Sequence, residues 1–302
     1  MNLDLNPDQA PVAEELNRWS SDHMQIPSSS QPPIYLPGEA LAEELVEHGY
    51  MDIVREPELG QLGGVLLIEA VARTPWAIEV NASGMVAPAL GLSGLPRPLA
   101  IIDPASPATR FLVSGGAALI DAGDHVRLLR CDDRVKPVQN TYPYPFGQFA
   151  GDLIKASERL DNANVRNFRD LRSLAALAEA SGAMDSSMKL TVEYVKGRVA
   201  FKRPIGSFQA VQHKLAECAA LVHGTRLLIY RAAVEGPAFL DHAVNYAHDA
   251  ITQVIQETTQ FHGAIGQTLE YPLHLWNYRL RVLQFELYRA AGTTRASHKS
   301  AT

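Results

Sequence analysis

The chain has 302 residues, of which 46% are hydrophobic and 20% charged, and a formal net charge of −6. That length supports a substantial core without staples, in the ordinary balance of a folded globular protein. The acidic balance leaves no broad basic field for nucleic acid, and two cysteines, Cys131 and Cys218, cannot make a disulfide framework or a four-cysteine zinc site.

The opening stretch MNLDLNPDQAPVAEEL is acidic and has no apolar segment, so no signal peptide is expected. No apolar run is long enough to span a bilayer. A cytoplasmic protein with no membrane partner is the expectation. Residues 18–38 are rich in Ser and Pro and read as a loop or extended arm. From Glu39 the spacing of Leu41 and Leu45 predicts a short amphipathic helix, ended by Gly49. A second apolar helix is expected over about 65–82, interrupted by Pro75.

Residues 95–145 carry short apolar runs, LAIID, FLVSGGAALIDAG and HVRLLRC, broken by Pro, Gly and Asp. They predict three to five short strands. From about 150 the pattern turns helical. Leu171, Leu174, Ala175, Ala178, Met184, Met188, Val192 and Val195 recur at three- and four-residue steps. The RPIG segment (203–206) breaks that helix, and a second runs to Gly236-Pro237. A third covers roughly 238–261, and Leu273, Trp276, Leu280, Leu283 and Leu287 mark a fourth. The polar tail from Thr293 is expected to fray. The expected fold is mainly α with a small β region: a helical N-terminal domain with an extended arm (1–94), a truncated middle β-domain (95–147) and a C-terminal four-helix bundle (148–302).

No HExxH, GxSxG, Walker A loop or GxGxxG after a strand is present. The histidines are scattered; His242 and His248 do not share a helical face, and no metal site is expected. Two segments stand out: Arg198 to Gln209 (RVAFKRPIGSFQ), running on into AVQHKLAE, and Gln260 to Glu270 (QFHGAIGQTLE). An Arg beside a Gly/Pro turn can hold a phosphate through bidentate hydrogen bonds. Glycines between helices let backbone approach a ligand closely.

Together the two segments resemble the acyl-CoA dehydrogenase family. Its signature R-x-x-F-G-x-x-I-x-x-F-Q-x-x-x-x-x-L-A is matched by Arg198, Phe201, Ile205, Phe208, Gln209, Leu215 and Ala216. Its second signature, Q-x-x-G-G-x-G-[YF], is matched by Gln260, Gly263 and Gly266 at the family's separation. Upstream, EHGYMDIVREPELGQLGG (47–64) is similar to the family's G-[WY]-x-x-[IL]-x-x-P-E-x-x-G-G-[LM]-G segment. The resemblance covers roughly 39–291 and implies FAD as cofactor. By carry-over Arg198 would pair with the pyrophosphate, Phe201 would pack near the cofactor, and Gln209 would contact the adenine end. Gln260, Gly263 and Gly266 would line the phosphate–ribose path. Lys202, Ala264 and Gln267 depart from the pattern.

The β region is about half the size of the family's middle domain, so a complete flavin site on this chain alone is not expected. The resemblance also implies a carboxylate base at one of two places. Counting back from Arg198 puts Arg172 at the first; counting forward from Glu270 puts Leu287 at the second, with Glu286 one step and about 100° away. No catalytic residue is therefore expected on this chain, Arg172 being a solvated charge or an anion contact. A shifted alignment would instead make Glu286 or Glu179 the base. A short chain with an FAD-adenosine side and no base resembles the second subunit of α₂β₂ heterotetrameric dehydrogenases of bacterial steroid catabolism. That resemblance implies a full-length dehydrogenase partner that supplies the base, a steroid or bile-acid acyl-CoA substrate, and electron-transferring flavoprotein as acceptor. The alternatives are a self-sufficient homo-oligomeric flavin dehydrogenase with a relocated base, or a non-catalytic scaffold.

Overall fold

The computed structural model describes residues 5–27, 33–106 and 108–299. Helix α1 (Gln9–Asp22) takes in the start of the segment expected to be a loop. Ala13, Leu16, Trp19 and Ser20 recur at helical steps and are buried, and Trp19 Nε1 donates to Glu44 at 2.7 Å. After β1 (Leu36–Pro37), α2 (Glu39–Glu47) stops as expected, with Gly49 at φ 77° in the left-handed region. Helix α3 (Gly60–Arg73) ends two residues before Pro75, earlier than the pattern predicted. The chain then extends as β2 (Trp76–Ala77), parallel to β1, before a π-helical turn (Ala82–Val86) and the short α4 (Ala87–Ala89).

The β region has more strands than expected and runs past residue 147. Strands β3 (Leu99–Ile102), β4 (Thr109–Arg110), β5 (Ala117–Asp121), β6 (Val126–Arg130), β7 (Val135–Val138) and β8 (Phe146–Phe149) precede α5 (Leu153–Ala156) and β9 (Glu158–Leu160). One sheet has the order β3-β5-β6-β9 and the other β4-β8-β7. Period-two alternation gives the first sheet two jobs. Leu99, Ala117, Leu119, Val126 and Leu128 face the main core, while Ala100, Ile102, Ala118, Ile120 and Leu129 pack on Val135 and Phe149 of the second sheet. Strands β4, β7 and β8 are too short, and β7 too Pro-interrupted, to show that alternation in sequence.

Four helices complete the fold: α6 (Val165–Gly197), α7 (Gln209–Glu235), α8 (Leu240–His262) and α9 (His274–Lys299), the last continuing beyond the expected start of fraying. A two-stranded hairpin, β10 (Val199–Ala200) and β11 (Arg203–Pro204), joins α6 to α7. Short connections make successive helices antiparallel. Asn164 caps α6 by accepting from Asn167 N. Ala243, Ala247, Ala250, Ile251 and Val254 bury the inner stripe of α8, each large one worth roughly 1.5–3 kcal/mol. Buried Arg279 of α9 closes the end of α3, donating to the carbonyls of Thr74 (3.0 Å) and Pro75 (2.6 Å). Among the described residues no helix is long and apolar enough to cross a membrane.

Candidate functional site

Alternating helix direction brings the C-terminus of α6, the N-terminus of α7 and the C-terminus of α8 to one end of the bundle. The two signature segments therefore lie at the same end of the bundle. Tyr194 of α6 stacks on His262 of α8 with ring centroids 4.2 Å apart. Phe201 sits at the hairpin tip, 88% exposed, edge-on to Phe208. Arg198, Gln209 and Gln260 are exposed, with no side-chain partner among the described residues. Arg203 lies over the Phe208 ring, 3.9 Å from its centroid. Unpaired guanidinium, amides and an aromatic face beside the positive end of α7 are the donor set an anionic dinucleotide needs. Gly263 is exposed and has φ 63°, a backbone state that favours glycine. Gly266 is buried, and a Cβ there would lie 2.7 Å from His262 Cβ and 3.0 Å from the Thr259 carbonyl. Both glycines thus have local structural reasons, independent of a ligand.

Arg172 lies elsewhere. It lines a cavity of about 610 Å³ between the β region and the helices α6 and α9. The walls include Ile78, Val80, Leu99, Ile101, Phe111, Val282 and Phe285, and Glu286 projects into it. The size is that of a small-molecule site. Arg172 is not a solvated surface charge: its side chain is 15% exposed, and its ion pair with Asp103 is long, 3.9 Å.

Sequence reasoning missed the residue that organises this cavity. Arg110, from β4, holds two carboxylates. Its Nε and Nη2 donate to Glu286 Oε1 and Oε2 at 2.9 and 3.0 Å, and its Nη1 donates to both oxygens of Glu179 at 3.0 and 2.8 Å. Tyr144 Oη and Asn81 Nδ2 also donate to Glu179, each at 2.6 Å. Burial alone would make Arg110 a weaker base, but Glu179 and Glu286 outweigh it and hold the guanidinium charged well above its ordinary value. Burial also pushes the Tyr144 hydroxyl up, reinforced by Glu179, so it remains a donor. Both base candidates are thus engaged: Glu179 is buried beneath four donor contacts, and each oxygen of Glu286 accepts from Arg110. No local motif announces a two-residue strand whose arginine meets residues far along the chain.

Residues 166–288 match the model of the acyl-CoA dehydrogenase C-terminal domain. This chain carries an acyl-CoA dehydrogenase C-terminal domain. Over 108 residues it is 36% identical to the acyl-CoA dehydrogenase IpdE2 of Mycobacterium tuberculosis, a match spanning 35% of this chain and 34% of that protein. The aligned part is thus about a third of the curated relative's length. The fold extends the likeness to the whole chain. The ChsE4–ChsE5 complex of Mycobacterium tuberculosis superposes with TM-score 0.70 at 18% identity, covering 100% of this chain and 99% of that one. A Tcur3481–Tcur3483 steroid acyl-CoA dehydrogenase variant gives TM-score 0.69 at 18% identity, covering 97% and 98%. The C-terminal domain contains both signature segments, Arg172 and Glu286.

Proposed function

We propose that this chain is the non-base subunit of a heteromeric, FAD-dependent acyl-CoA dehydrogenase. It completes a flavin site across a subunit interface while a full-length partner supplies the carboxylate base. One observation carries the reading. The exposed signature end of the bundle and the cavity are separated by the stretch of α6 from Arg172 to Arg198, about 40 Å at helical rise. The two cannot serve one compact reaction centre within one chain. Within the cavity, the first expected base position holds an arginine and the nearest second candidate, Glu286, is tied to Arg110.

The residues fit the cofactor. Arg198 would neutralise pyrophosphate, Gln209 and Gln260 would hydrogen-bond the adenosine half, and Phe201 would cover it. Gly263 and Gly266 shape the turn that follows Gln260. When bound, FAD supplies a hydride acceptor for α,β-desaturation of an acyl-CoA, with the α-proton passing to the partner's base. The likeness to IpdE2 and to steroid acyl-CoA dehydrogenase complexes favours a steroid- or bile-acid-derived thioester, and electron-transferring flavoprotein is the acceptor this reading implies. A cytoplasmic heterotetramer is the assembly it implies.

Co-expression with a neighbouring full-length dehydrogenase gene, compared with expression alone, tests the reading through flavin absorbance and native mass. Flavin and an α₂β₂ mass only on co-expression is the expected result, with Arg198→Ala lowering flavin occupancy at least several-fold. A yellow, active homo-oligomer of this chain alone would overturn it and make Glu286 the first residue to replace.

A further inference from the structure

The arginines and carboxylates around the cavity are unevenly paired. On its β-region side, Arg169, Arg172 and Arg289 share Asp103 and Asp121. Arg169 takes Asp121 in a two-point bond, 2.7 Å at each contact. Arg289 pairs with Asp103 at 3.0 Å. Arg172 is left with the 3.9 Å approach to Asp103 and has no hydrogen bond among the described residues. Arg281 also lines the cavity and, among the described residues, donates only to Gln284 Oε1, at 3.3 Å. The other carboxyls offer no relief. Glu286 and Glu179 belong to Arg110. Glu79 is turned into the backbone, accepting from Ala82 N at 2.8 Å, Leu99 N at 3.2 Å and the Ser83 hydroxyl. A guanidinium only 15% exposed, beside an apolar wall and without a hydrogen-bonded partner among the described residues, is an open contact for an anion.

We infer that the cavity is a binding site for an apolar monocarboxylic acid, whose carboxylate pairs with Arg172 while its carbon skeleton lies against Ile78, Val80, Leu99, Phe111 and Val282. The acid makes a fork-to-fork pair that Asp103, drawn to Arg289, does not complete. Arg110 needs no part of it, because Glu179 and Glu286 already share its charge. The site is one of binding without turnover and does not depend on flavin or on a partner. Its failure is therefore distinguishable from failure of the dehydrogenase reading.

The test uses the full chain, or its co-purified complex, and dansyl-undecanoic acid as a fluorescent probe, with the primary amide of the same acid as neutral control. The acid is expected to bind at least tenfold tighter than the amide. Arg172→Met should remove that preference without moving the melting temperature, and Arg172→Lys should keep part of it. Asp103→Asn, which removes the competing anion, should increase the preference several-fold. Deoxycholate should displace the probe and free coenzyme A should not. Equal binding of acid and amide overturns the inference, as does a preference that survives Arg172→Met or falls in Asp103→Asn. Displacement by coenzyme A as effective as by deoxycholate overturns the apolar-acid assignment.

Discussion

Arg110 serves two carboxylates from opposite sides, and their exposures differ: the Glu179 side chain is 9% exposed and that of Glu286 32%. The half-open pair with Glu286 is worth little, since water replaces what is lost. The pair with Glu179 is different, because removing the guanidinium strands a buried charge with Tyr144 and Asn81 alone. Arg110→Met is expected to cost about 3–5 kcal/mol by urea unfolding. Adding Glu179→Gln should recover much of it, and Glu286→Gln alone should fall under about 1 kcal/mol. Counting along the chain reached Arg172 and Glu286, because both lie on helices whose period keeps register with the family signatures. It could not reach Arg110, whose partners are 69 and 176 positions away and whose strand has no periodicity to read.

At the level of elements, the long helices and the break between α6 and α7 were the most legible features, since apolar steps and a Pro and Gly in one short segment are strong local signals; the hairpin inside that break was not read. The first helix was lost among Ser and Pro residues, and the sandwich strands were too short to count. The hairpin also carries strain. Ala200 pairs with Arg203, and the two residues between them, Phe201 and Lys202, have φ of 52° and 68°. Such a two-residue turn favours glycine or asparagine. Lys202→Gly should raise stability by about 1 kcal/mol, read as a higher melting temperature. On the neighbouring helix, His262 donates through Nδ1 to the Thr258 carbonyl at 2.7 Å, and its Nε2 has no partner among the described residues. Burial lowers its affinity for a proton, so the folded chain keeps the ring neutral while the unfolded chain charges it below about pH 6.5. The ring's contribution is complete above that value and is lost as pH falls through the lowered one. Melting temperature against pH should fall less steeply below pH 6.5 in His262→Gln; an unchanged slope would contradict this.

On the scale of the whole molecule, α6 is the axis: 33 residues, about 50 Å, with the cavity near its first turns and the segment from Arg198 to Gln209 past its last. Its middle is built of small buried residues, Ala175, Ala176, Ala178, Ala180, Ser181, Gly182 and Ala183. There α3 presses so close that a Cβ on Gly182 would collide with the Glu69 carbonyl. Tolerance to amino-acid replacement must therefore be uneven along this one helix. Almost any larger side chain at its centre wedges α3 away, whereas the two ends can be rewritten separately. A descendant of this chain could lose the exposed Arg198, Gln209 and Gln260 set and keep its cavity, or reline the cavity and keep that set, without touching the middle of the rod that joins them.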